Sequence, residues 1–251
     1  MKIDPIHQFN IEPLFTIGHI GNQTIAITNS SLYMFLAVAL ISILMIGGVA
    51  GRQLVPGRFQ SMAEISYEFV ASMIRSTAGA EGMKFFPLIF SLFMFICVSN
   101  LVGIIPYTFT VSSHIIVTAA LALLVFFTVL IYGFYKNGLK FFKIFVPSGI
   151  PIYILPLVVF IEIFSFFLRP ISHSVRLFAN MLAGHIALKV FAGFVAMLGV
   201  SLGAIGWVGG VMPLALTVAL TALELLVAFL QAYVFAILTV IYLNDAIHPG
   251  H

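Results

Sequence analysis

Between Leu157 and Leu198 the chain carries no strong helix breaker except Pro170. As one helix this stretch would be about 63 Å long at 1.5 Å per residue, twice the roughly 30 Å of a bilayer's hydrocarbon layer. It also carries Glu162, Arg169, His173, Arg176, Asn180, His185 and Lys189 among apolar neighbours. A charge near the bilayer centre costs about 2.5–3.5 kcal/mol even on the mildest scale. The helix must therefore tilt or bend, and its polar groups must meet protein or water rather than lipid. Pro170 removes one backbone hydrogen bond and crowds the carbonyl of Phe166, so a bend is expected there.

The rest of the chain makes a soluble fold untenable. Hydrophobic residues make up 62% and charged residues 8% of the sequence, with a mean hydropathy of +1.18. Ordinary soluble domains are about 25% charged, so there is too little polar surface here to cover a globule. An all-α polytopic membrane protein with a single membrane domain over residues 1–251 is expected, without internal repeat. Residues 1–30 form an outer segment in which Lys2 is the only strong base, and nothing there reads as a cleaved signal.

Residues 31–50, 85–105 and 115–135 read as roughly upright spanning helices. Arg52 and Arg58, with Pro56-Gly57 as a turn, follow the first; the loop from Pro106 to His114 lacks Lys and Arg; Lys136, Lys140 and Lys143 follow the third. By the positive-inside rule the basic loops are cytoplasmic and the N-terminus lies outside. Residues 59–78 show Ser61-x-x-Glu64, the form of a capping box, and gather Gln60, Ser61, Glu64, Glu68, Ser72 and Arg75 on one face. Phe59, Met62, Phe69, Val70 and Met73 lie opposite, which suits an interfacial amphipathic helix. Pro147, Gly149, Pro151 and Pro156 break the chain before the long helix.

A glycine-rich turn over 199–210, containing Trp207, leads to Pro213, and a second overlong helix runs over 213–243. With 157–198 it forms a tilted hairpin. On the first arm Glu162, Ser165, Arg169, Ser172, His173, Arg176 and Asn180 fall within a sector of roughly 100°. On the second, Thr217, Thr221, Glu224, Gln231, Thr239 and Tyr242 share a face. His185 and Glu224 stand equally far from the turn, so an antiparallel hairpin brings them to comparable depth. A His and a Glu together make a proton-relay pair.

Blander readings stay open for several of these. Glu162 and Arg169 could form an internal ion pair, His173 could be a packing residue, Gln231 and the threonines could bond between helices, and Lys189 could snorkel to the outer interface. Arg176 resists such a reading, since no carboxylate lies three or four residues away; its counter-ion belongs on another subunit.

The lone Cys97 supports no disulfide framework or cysteine metal site. The net charge of +3 comes without a long basic block, so nucleic acid is not an expected partner. There is no GxxxxGK[ST] or HExxH, so neither ATP chemistry nor a cofactor is expected of the chain itself.

Three stretches, Asn100–His114 (NLVGIIPYTFTVSSH), Ser174–His185 (SVRLFANMLAGH) and Glu224–Ala246 (ELLVAFLQAYVFAILTVIYLNDA), closely resemble subunit a of the F-type ATP synthase membrane sector. The resemblance covers essentially the whole chain. It implies a stator that holds its tilted hairpin, 157–198 and 213–243, against a rotating ring of c subunits, with b-type peripheral-stalk subunits and the bilayer as further partners. Carried over by motif, Arg176 is the essential arginine and Asn180 its neighbour. His185, Glu224 and Gln231 line the outer half-channel; Glu162 and His173 lie towards the inner one, with Arg169 on the same stripe. Some bacterial relatives exchange the acid and the histidine; the pair here is similar to mitochondrial and alphaproteobacterial forms. The bacterial inner membrane is the implied location, with the C-terminus cytoplasmic, or alternatively the mitochondrial inner membrane. The competing class is a stand-alone channel or secondary transporter. Such transporters are built from paired half-structures with broken helices, whereas the unusual polarity here sits in one hairpin.

Overall fold

The computed structural model describes the chain except residues 1–9, 21–22, 51–52, 106–107, 147–149, 152 and 249–251. Lys2, Arg52, Pro106, Pro147 and Gly149 lie outside the described residues, as does the side chain of Trp207. The chain is all-α and polytopic: five helical stretches, Asn29–Ala50, Arg58–Ile104, Ile115–Phe145, Leu155–Ser201 and Val208–Ile247, are long and apolar enough to cross a membrane.

A two-stranded antiparallel hairpin, β1 (Pro13–Ile20) and β2 (Gln23–Thr28), precedes them. Gly21-Asn22 between two runs containing Ile and Thr has the composition of a hairpin signal, which the reading of residues 1–30 as an outer segment did not use. β2 leads without a linker into α1 (Asn29–Ala50). Thr28 and Ser31 cap the helix start reciprocally, the Thr28 N–H donating to Ser31 Oγ at 2.9 Å and the Ser31 N–H to Thr28 Oγ1 at 3.4 Å.

α2 (Arg58–Gly82) continues through a short 3-10 turn, Met83–Phe85, into α3 (Phe86–Ile104). The capping box expected at Ser61 and Glu64 does not form. The N-cap is Gly57, without a side-chain cap, and Gln60 Nε2 donates to Glu64 Oε1 at 2.8 Å instead. The helix starts four residues earlier than that motif requires, with Gly57 rather than Ser61 as N-cap, because Gly57 already accepts the first backbone bond from Ser61 at 2.8 Å. Its buried side is Ala63, Val70, Ala71, Met73, Ile74 and Ala78, while Phe59, Met62 and Ile65 remain exposed.

α4 (Ile115–Asn137) runs into a 3-10 helix, Gly138–Phe145. α5 (Leu155–Ile247) carries both long arms, and Gly203, at φ 59°, is its one non-helical residue. That left-handed φ suits glycine, which has no Cβ to clash there. Pro170 keeps helical dihedrals.

The chain forms two compact units. The first comprises Met1–Ile41, Phe95–His114 and Leu177–Gln231. In it, Asn100 is fully buried: its amide donates to the Ala228 carbonyl at 3.2 Å and its carbonyl accepts from the Ser112 hydroxyl. The single Thr108 hydroxyl lies 2.7 Å from both the Val102 and the Ile105 carbonyls, adding to the backbone bonds that these already accept from the Ile105 and Thr108 N–H groups at 3.2 Å. His114 stacks on Phe109 at 4.9 Å, and burial lowers its pKa, so the imidazole is neutral at neutral pH.

The second unit comprises Ser42–Met94, Ile115–Arg176 and Ala232–His251. An aromatic cluster of Phe126, Phe141, Phe145 and Phe166 fills its interior, with ring separations of 5.2–6.3 Å. Polar ties join its helices: Lys136 pairs with Glu81, Asn137 Nδ2 donates to the Ala246 carbonyl at 2.7 Å, and Thr118 shares a hydrogen bond with Ser174 at 3.1 Å.

Candidate functional site

In the first unit the two arms of α5 place His185 Nδ1 directly against Glu224 Oε1. Each residue is 5% exposed. The approach depends on Gly184, where an added Cβ would stand 2.9 Å from Glu224 Oε1. One turn after Glu224, the fully buried Ala228 presents its carbonyl to Asn100, which anchors the helix segment that carries the acid. Gln231 follows, half-buried. An imidazole and a carboxyl in contact have the chemistry to hand a proton from one to the other.

This geometry yields a test. Gly184→Ala should push the Glu224 carboxylate off His185, because contact under 3.0 Å with a side-chain end is relieved by moving that end. A structure of the variant in which the two side chains still touch would show that Gly184 is not what permits the contact.

In the second unit Arg169 Nη1 pairs with Asp245 Oδ2 at 3.0 Å. Its guanidinium also lies 4.8 Å from the Tyr242 ring centroid and 5.5 Å from that of Phe166, within cation–π range. The i, i+7 pair between Glu162 and Arg169 therefore does not form, because Asp245 on the other arm offers a closer carboxylate. Glu162 is half-buried and takes part in no ion pair among the described residues. His173 is 5% exposed and sits edge-on to Phe235, with centroids 3.8 Å apart. A small cavity beside it is lined by Val129, Phe166, Arg169, Pro170 and Tyr242.

The polar stripe seen along the first arm thus divides. His173, Ser174 and Leu177 turn into the protein, whereas Arg176 and Asn180 face outward and are exposed. Around them Ile171, at 58% exposure, and Val175, at 42%, are exposed too. No carboxylate of a described residue lies within ion-pair distance of Arg176. Asp245 and Asn100 have structural partners that residue spacing did not reveal. Each contact joins residues far apart in sequence, so helical periodicity carries no signal for it.

Five helices long and apolar enough to cross a membrane define a multi-pass membrane protein, and two of them carry the buried His–Glu pair. The chain matches the family described as ATP synthase A chain over residues 31–244. It is 86% identical over 251 residues to ATP synthase subunit a of Bradyrhizobium diazoefficiens, covering all of both chains. It is 81% identical, again over the full length of both, to that of Rhodopseudomonas palustris, strain CGA009. To ATP synthase subunit a of Nitrobacter winogradskyi it is 79% identical over 249 residues, 99% of this chain and all of the relative. The chain belongs to the ATP synthase A chain family, a family of the ATP synthase membrane sector.

Proposed function

We propose that this chain is the proton-translocating stator of an F-type ATP synthase, coupling proton flow to rotation of a c-subunit ring through Arg176. The observation that carries this reading is the exposed guanidinium on an apolar helix face with no carboxylate of a described residue in reach. Lipid cannot solvate it, so its counter-charge comes from a neighbouring subunit. A ring carboxylate is that charge.

The cycle follows from electrostatics. A deprotonated ring carboxylate cannot enter lipid, but it can pass Arg176, whose planar guanidinium neutralises it in a low-dielectric interface. His185 and Glu224, with Gln231, deliver a proton from the outer side. The neutral carboxyl then rotates into lipid. Glu162 and His173, with the Arg169–Asp245 pair near them in sequence or space, serve release on the inner side. Asn180, one turn from Arg176, faces the ring beside it. Each proton crossing 100 mV supplies about 2.3 kcal/mol, which biases the direction. The bilayer is the bacterial inner membrane, with the N-terminus outside and the C-terminus cytoplasmic, and b-type stalk subunits hold the chain against the ring.

Cross-linking tests the interface. In a Cys97→Ala background, Asn180→Cys should form a disulfide with a cysteine placed one helical turn from the ring carboxyl, and the bond should stop turnover until reduced. Failure to cross-link, where a cysteine on the opposite face of the ring helix succeeds, would overturn the reading.

A further inference from the structure

The 3-10 helix Gly138–Phe145, GLKFFKIF, has no place in proton transfer, yet it is sorted into sharply different rows. Gly138 takes φ +54°, which turns the chain at the end of α4 into this segment. With three residues per turn, side chains three apart line up. One row holds Phe141 and Ile144. Phe141 is 1% exposed, lies 4.9 Å from the Phe134 ring, and fills the space that the absent side chain of Gly133 leaves. A Cβ on Gly133 would overlap the Phe141 ring. The second row is Leu139, Phe142 and Phe145; Phe145 packs on Phe166 at 5.3 Å, but Leu139 is 84% exposed and Phe142 51%. The third row is Lys140 and Lys143, both exposed. Tyr135, in the last turn of α4, is 87% exposed beside them in sequence.

The lysines are uncommitted. Lys136 spends its charge on Glu81, whereas neither Lys140 nor Lys143 forms an ion pair with any described residue. Bulk water does not suit a segment that displays Leu139, Phe142 and Tyr135 together. Hydrocarbon does not suit two ammonium groups. The headgroup layer suits both, since apolar side chains can enter the acyl boundary while lysines reach phosphate. Position agrees: the segment is the end of the Ile115–Phe145 stretch, and the 23 residues of α4 before it are by themselves long enough to cross the hydrocarbon layer.

We infer that Lys140 and Lys143, with Leu139 and Phe142, form a docking site for an anionic phospholipid headgroup in the inner leaflet, anchored to the fold by Phe141. The choice of leaflet rests on the proposed orientation. Selection of an anionic lipid follows from two adjacent positive charges without an acid among them, each worth about 1 kcal/mol at an anionic surface, or about fivefold in local enrichment.

The test uses whole ATP synthase carrying Cys97→Ala and Leu139→Cys, labelled with a fluorophore and reconstituted in phosphatidylcholine vesicles containing phosphatidylglycerol. A nitroxide near the headgroup is placed on one lipid or the other. Quenching by labelled phosphatidylglycerol should exceed that by labelled phosphatidylcholine about fivefold or more. The difference should vanish in Lys140→Gln/Lys143→Gln and shrink at high salt. Equal quenching by both lipids would overturn the proposal, as would no quenching by either, which would mean that protein covers the patch. Arg176→Ala in the same vesicles reports separately on the stator reading: ATP synthesis at the wild-type rate with lipid selectivity intact would count against that reading alone.

Discussion

With Arg176 as the counter-ion of a ring carboxylate, Arg176→Ala should abolish proton-driven ATP synthesis. A ring carboxylate that loses its counter-ion at a desolvated interface is left with a penalty of several kcal/mol. With every 1.4 kcal/mol worth about tenfold in rate, a fall on the order of 10³ is expected. The fold should survive, because Arg176 is exposed while the helix is held by Ser174, Leu177 and Met181 on its buried side. Arg176→Lys should restore little, since a compact ammonium lacks the planar fork that pairs with a carboxylate. ATP synthesis by purified complex in vesicles, with hydrolysis by the soluble sector as the control for assembly, reads both variants. Coupled synthesis at the wild-type rate by Arg176→Ala would contradict the assignment.

Glu224→Gln carries the second large effect. The amide has the shape of the carboxyl and can still touch His185, so the packing around Gly184 and Ala228 should persist. What is lost is a group that exchanges a proton. Positioned acid–base groups contribute roughly 10²–10⁴ in rate, and with His185 still present the lower end, about 10², is expected. If flux were unaltered, Glu224 would lie outside the pathway.

How much of this was legible in sequence depended on the range of the interaction. The helices announce themselves through long apolar runs, and the equal spacing of His185 and Glu224 from the hairpin turn anticipates a contact that the structure makes. Periodicity put His173 and Arg176 in one sector, yet one is buried against Phe235 and the other exposed. Three residues apart on a helix differ by roughly 60° in direction, enough to straddle the edge of a packed interface. Arg169 had two carboxylates to choose from, and only folding brings Asp245 within 3.0 Å. The capping box at Ser61 failed because Gly57 starts the helix first. The hairpin at residues 13–28 was signalled by Gly21-Asn22, but its chain of alternating side chains is short beside the helical runs.

The central claim is that protons cross only by riding the ring past Arg176, whose fixed positive charge pairs with the ring carboxylate and repels a proton attempting the direct route between the two sides. Passive proton flux through vesicles containing the membrane sector, with the ring locked to this chain by a disulfide, tests it directly. The account predicts that the locked wild-type sector is tight to protons and that locked Arg176→Ala leaks. A locked wild-type sector that conducts as fast as a free one, or an Arg176→Ala sector that stays tight, would contradict it.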